Sequence, residues 1–163
     1  MRLDRIFQRY NPPLFFVTFC TGQRRSVLAN DLVHRALIGY GRIALDHNIA
    51  LGRYVIMPDH IHLFVRGDPN FALSPWVGGL KRAISLAVSG DPQATRLPLQ
   101  GRHPLQGKQN SLWQPGFFDH VLRSDESYAQ KWEYVRDNPV RTGLVASWQE
   151  WPYQGEITVI DRA

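Results

Sequence analysis

The chain has 163 residues, 44% of them hydrophobic and 12% aromatic, enough for one buried core, and no apolar run approaches the roughly 20 residues of a membrane-spanning helix. Lys and Arg number 19 against 14 Asp and Glu, for a formal charge of +5, which favours a polyanionic partner such as nucleic acid. Cys20 is the sole cysteine, so an internal disulfide and a cysteine-based zinc finger are excluded. The start lacks a signal-peptide core. One soluble domain over 1–163 in a reducing, cytoplasmic setting is expected, with no membrane partner, a core at about 14–145, a basic loop at 90–110 and a tail at 146–163.

Leu14 to Cys20 is aromatic and β-branched between Pro12-Pro13 and Thr21-Gly22, which predicts a buried first strand. From Asn30, a candidate cap, Leu32, Val33, Ala36, Leu37, Tyr40, Ile43, Ala44 and Leu45 recur at helical spacing to about His47. Leu51 to Met57 and His60 to Val65 read as two strands joined through Pro58-Asp59, an antiparallel hairpin.

His60 and His62 are two apart on the second of these strands, so their imidazoles share one face while Ile61 enters the opposite layer. Such a pair can hold a divalent metal beside a phosphate if a third ligand and a nucleophile arrive from elsewhere. The ordinary alternative is two half-exposed histidines on a sheet edge.

Leu73 to Val88 predicts a second helix, with Trp76, Val77, Leu80, Ile84 and Ala87 on one face and Lys81-Arg82 off it. Gly90 to Asn110 reads as loop, and residues 81–110 carry Lys81, Arg82, Arg96, Arg102 and Lys108 against Asp91 alone. That run suits either a solvated loop or phosphate contacts. Phe117 to Leu122 predicts a fourth strand. A third helix is expected to start at Ser124-Asp125-Glu126 and to stop at Asn138, before Pro139.

The order β-α-β-β-α-β plus a helix predicts an α+β, ferredoxin-like split βαβ antiparallel sheet with an appended C-terminal helix. On that helix Tyr128, Trp132 and Val135 form a core face, while Ser127, Lys131, Tyr134 and Asn138 gather on another. Tyr134 could act as a nucleophile, and the Asn138 side-chain oxygen, one turn on, could complete a metal site begun by His60 and His62. An exposed tyrosine and a plain helix-ending asparagine are the alternative.

Three segments carry a family resemblance: Val55-Ile-Met-Pro-Asp-His-Ile-His-Leu-Phe-Val65, Leu112-Trp-Gln-Pro-Gly-Phe-Phe-Asp-His-Val-Leu-Arg123 and Tyr134-Val-Arg-Asp-Asn-Pro-Val-Arg-Thr-Gly-Leu-Val145. In order and spacing the chain resembles the REP-associated tyrosine transposases, which are single-tyrosine HUH transposases (histidine, hydrophobic, histidine). The resemblance covers Phe15 to about Val145. It implies a metal-dependent enzyme, an endonuclease and strand transferase that cleaves and rejoins single-stranded DNA at hairpin repeats through a 5′-phosphotyrosine. Carried over residue by residue, His60, His62 and Asn138 match the metal ligands, magnesium or manganese being the implied cofactor, and Tyr134 matches the nucleophile.

Lys81, Arg82, Arg123 and Arg136 are candidate phosphate contacts, and Trp76, Trp148 or Trp151 could stack on unpaired bases, with core packing the competing role. Asp59 and His120 are candidates for supporting the ligands or moving protons. A monomer and a homodimer both remain open. Two other classes compete: a domesticated, non-catalytic module binding hairpin DNA or RNA, and a metal phosphoesterase that forms no covalent product.

Overall fold

The computed structural model describes residues 11–90, 111–123 and 126–161. Strands β1 (Leu14–Cys20), β2 (Ile49–Ile56), β3 (His60–Gly67), β4 (Phe118–Leu122) and β5 (Gln154–Glu156) form one antiparallel sheet in the order β4-β1-β3-β2-β5. Helices α1 (Asp31–Asp46) and α2 (Leu73–Ser89) cover one face, and α3 (Tyr128–Arg136) lies on the other. This is the expected ferredoxin-like arrangement with an added edge strand, β5. None of the described helices is long and apolar enough to cross a membrane.

Alternation along the strands builds two cores. Val17, Phe19, Ile61, Leu63 and Leu51 meet Leu37, Leu80 and Ile84 of the first two helices. Leu14, Phe16, Val55 and Phe64 meet Tyr128, Trp132 and Val135 of α3, together with Trp151 and Ile160 from the tail. The Asn30 cap accepts from the Val33 amide at 3.0 Å, as its position before an apolar helix predicts.

Trp151 and Ile160 of the tail enter the second core, while Ile157 packs against the first. The Trp151 indole is 9% exposed and donates to the Ile56 carbonyl at 2.9 Å, while Gln154–Glu156 pairs with β2. Trp151→Ala is expected to cost about 3–5 kcal/mol, the scale for deleting a buried large aromatic, read as a lower denaturation midpoint. Gly52 has the related task of close approach: a Cβ there would sit 2.7 Å from the Tyr128 hydroxyl, which accepts from the Arg53 amide at 2.9 Å.

Two boundaries differ from expectation. Helix α3 begins at Tyr128 with Ser127 as its cap, accepting from the Gln130 amide, because the Glu126 carboxylate is taken by the Arg123 amide and His120. Ser124 and Asp125 lie outside the described residues, as does most of the Gly90–Asn110 loop. The helical path also passes Pro139. After a break at Asp137, Asn138–Arg141 forms a short helix, α4, in which Pro139 sits in the first turn, where its missing N–H is not needed.

Candidate active site

β1, β3 and α4 build the site. The Met57 amide bonds the His60 carbonyl at 2.8 Å across the Pro58-Asp59 turn, and buried Thr21 holds the Asp59 carbonyl through its amide and its hydroxyl, at 2.9 and 3.1 Å. β3 therefore starts at His60 with a fixed register. His60 and His62 project to the α3 side with ring centroids 4.7 Å apart, while Ile61 is wholly buried in the other core.

Each imidazole is held by its Nδ1. Thr18 Oγ1 is 2.6 Å from His62 Nδ1, and Asp59 Oδ1 is 2.7 Å from His60 Nδ1. Burial pushes the His62 imidazole down to about 3, with the charges of His60, Arg141, Lys131 and Arg24 acting the same way; the ring is therefore neutral at neutral pH, and with its one proton on Nδ1 toward Thr18 the Nε2 lone pair is free to accept. Burial pushes the Asp59 carboxyl up, but the His60 hydrogen bond and charge and the Arg24 guanidinium, 2.8 Å away, outweigh it and hold the carboxyl below its ordinary value. Gln23 and Arg24 adopt left-handed backbone, φ 55° and 53°, and this strained pair turns Arg24 toward Asp59.

The tyrosine helix reaches this pair at its C-terminal end. Asn138 Nδ2 donates to His62 Nε2 at 2.8 Å. Tyr134, one turn earlier, is 64% exposed, and the Arg141 guanidinium lies over its ring at 4.1 Å. The break at Asp137 thus brings Asn138 onto His62 and folds Arg141 back on Tyr134. An open groove of about 500 Å³ runs along α3, lined by Glu126, Ser127, Gln130, Lys131 and Tyr134.

Among the described residues no three His, Cys, Asp or Glu side chains cluster as a metal site, so a cation here would need Asn138 beside the two histidines. The donor set fits. With both Nδ1 atoms occupied, both Nε2 atoms can offer lone pairs. A half-turn of the Asn138 amide puts Oδ1 where Nδ2 now stands, an arrangement repulsive toward a bare imidazole lone pair and favourable with a cation between them.

The other predicted contacts scatter. Lys81 and Arg82 ride on α2, across the sheet from the histidines, and the Lys81 ammonium is spent on the Gln114 and Gly116 carbonyls. Arg136 lies over the Trp148 ring at 4.4 Å, and Arg123 is exposed near Glu126. Trp76 and Trp151 are core residues, and His120 binds Glu126 at 3.0 Å. The cations that gather on the histidine pair are instead Arg24, Lys131 and Arg141. Lys131 was legible as a neighbour of Tyr134 at helical spacing, whereas Arg24 and Thr18 carry no such local signal and Arg141 lies past the expected helix end at Asn138.

Fold and site together define the class: a ferredoxin-like α+β domain with a His-x-His pair on a central strand, met by the end of a tyrosine-bearing helix. The family model described as "Transposase IS200 like" matches residues 15–138, and the chain belongs to that family of transposases. It is 26% identical over 145 residues to a REP-associated tyrosine transposase of Escherichia coli K12, covering 85% of this chain and 73% of that protein. It is likewise 26% identical over 143 residues to a Haemophilus influenzae protein provisionally named for the same class, covering 86% and 77%. A solved REP-associated tyrosine transposase bound to a REP hairpin shares the fold, with a TM-score of 0.63 and 19% identity over 92% of this chain and 89% of that one.

Proposed function

We propose that this protein is a metal-dependent, single-stranded DNA endonuclease and strand transferase, acting at hairpin repeats through a 5′-phosphotyrosine on Tyr134. The observation that carries this reading is the 2.8 Å contact between Asn138 and His62, which ties the helix bearing an exposed tyrosine to the histidine pair. The hairpin partner of the solved relative and the +5 charge support the DNA substrate.

His60, His62 and Asn138 would hold magnesium or manganese, which supplies charge stabilisation at the non-bridging oxygens of the scissile phosphate. Arg141, Lys131 and Arg24 add positive charge around the same phosphate. The Tyr134 oxygen attacks phosphorus and gives up its proton to water. The bond from phosphorus to the 3′-oxygen breaks, and that oxygen takes up a proton to leave a free 3′-hydroxyl. A 3′-hydroxyl from another DNA end reverses the step and frees Tyr134, so rejoining needs no nucleotide energy source.

Asp59 orients His60 and raises its basicity as a ligand. Asp59→Ala is expected to weaken manganese binding about 10- to 100-fold, read by titration of the purified protein without DNA. For the reaction itself, labelled hairpin oligonucleotides are incubated with manganese or magnesium and run on a denaturing gel. A metal-dependent covalent protein–DNA band is expected. Cleavage without that band would make the protein a hydrolase, and tight binding without cleavage would make it a binding module.

A further inference from the structure

Phe118 is a bulky aromatic side chain left 60% exposed on the edge strand β4. Register places it on the face of the sheet that carries the histidines. Phe118 pairs with Thr18, Thr18 pairs with His62, and directly opposed residues of antiparallel strands share a face. Thr18 confirms that face through its side-chain bond to His62. The other β4 residues on this side are engaged: Leu122 is buried in the α3 core, and His120 is bonded to Glu126.

Phe118 therefore ends a cross-strand row that begins at the histidine pair. Two strand spacings separate it from His62, roughly 10 Å, with half-buried Thr18 between them. One row further along, Phe16 pairs with His120, and the Lys131 ammonium lies over the Phe16 ring at 4.9 Å. Lys131 also lines the groove that leads to Tyr134. A flat apolar ring one cross-strand row from the Phe16–Lys131 contact and a short reach from the proposed phosphate-handling centre matches an unpaired nucleotide, whose base stacks while its phosphate is drawn to the positive charge nearby.

We infer that Phe118 is the stacking platform for an unpaired base of the DNA strand adjacent to the scissile phosphate. This rests on the DNA-cleaving function proposed above and adds a subsite to it. Stacking tolerates every base, so the subsite sets the path and position of the strand and leaves sequence discrimination to other contacts.

The test measures binding of a hairpin oligonucleotide with a single-stranded flank, in manganese, by wild type, Phe118→Ala and Phe118→Trp. A parallel series replaces one flank nucleotide at a time with an abasic residue, and thermal melting checks that each variant folds. Phe118→Ala is expected to bind about 5- to 150-fold more weakly, the range for losing one base–aromatic stack, with Phe118→Trp at or above wild type. One abasic position should weaken wild type by a similar factor and leave Phe118→Ala unaffected. Equal affinity of Phe118→Ala and wild type, or a loss that no abasic position reproduces, overturns the subsite. Covalent adduct formation in the same reactions reports on Tyr134 separately, so the subsite can fail while the cleavage reading stands.

Discussion

Tyr134→Phe is expected to abolish the covalent protein–DNA adduct, a fall of at least about 10³-fold to background, while hairpin binding is retained. The phenyl ring keeps its place beneath the Arg141 guanidinium, 4.1 Å away, so only the attacking oxygen is lost. Three of the other described tyrosines are buried or half-buried and engaged elsewhere. Burial pushes the hydroxyls of Tyr40, Tyr54 and Tyr128 up to about 12, and they bond the Trp76 carbonyl, His34 and the Arg53 amide respectively. A denaturing gel of radiolabelled hairpin with wild type and variant reads the result. Cleavage persisting in Tyr134→Phe would move the chemistry to a water nucleophile and discard the phosphotyrosine.

His62→Ala is expected to lower adduct formation about 10²- to 10³-fold, the scale for removing one group that stabilises transition-state charge, and chelation by EDTA should eliminate it in wild type. His62 sits between Thr18 and Asn138 at 2.6 and 2.8 Å, so its loss removes a proposed metal donor and also the anchor of the Asn138 segment that follows α3. Two readouts separate those effects. Loss of the donor lowers manganese affinity in a DNA-free titration. Loss of the anchor alone leaves manganese affinity intact and lowers the melting temperature. Adduct formation that survives both EDTA and His62→Ala would remove the metal from the proposed mechanism.

Elements with dense local signals were legible from the chain. β1 begins and ends where its aromatic run does, α1 follows its asparagine cap, and Tyr128, Trp132 and Val135 bury together as their spacing predicts. The errors fall where distant groups compete for a residue. Glu126 was placed in the first turn of α3 and is instead bound by His120 of β4 and the Arg123 amide. The tail adds a strand because Trp151 and Ile160 find the second core, an outcome that three strand residues containing Gly155 do not announce.

Periodicity and residue chemistry along the chain are enough for the strands and helices of the ferredoxin-like core, the shared face of His60 and His62, and the separation of Tyr134 from its core-facing neighbours, because each depends on residues a few positions apart. The assembly of the site is a different matter. That Asn138 meets His62, that Thr18 and Asp59 take the two Nδ1 atoms, and that Arg24 and Arg141 turn inward while Lys81 faces away all depend on strand pairing and on the break at Asp137. These contacts join residues that are mostly tens of positions apart, and their geometry is set by how the two cores pack, which no local pattern encodes.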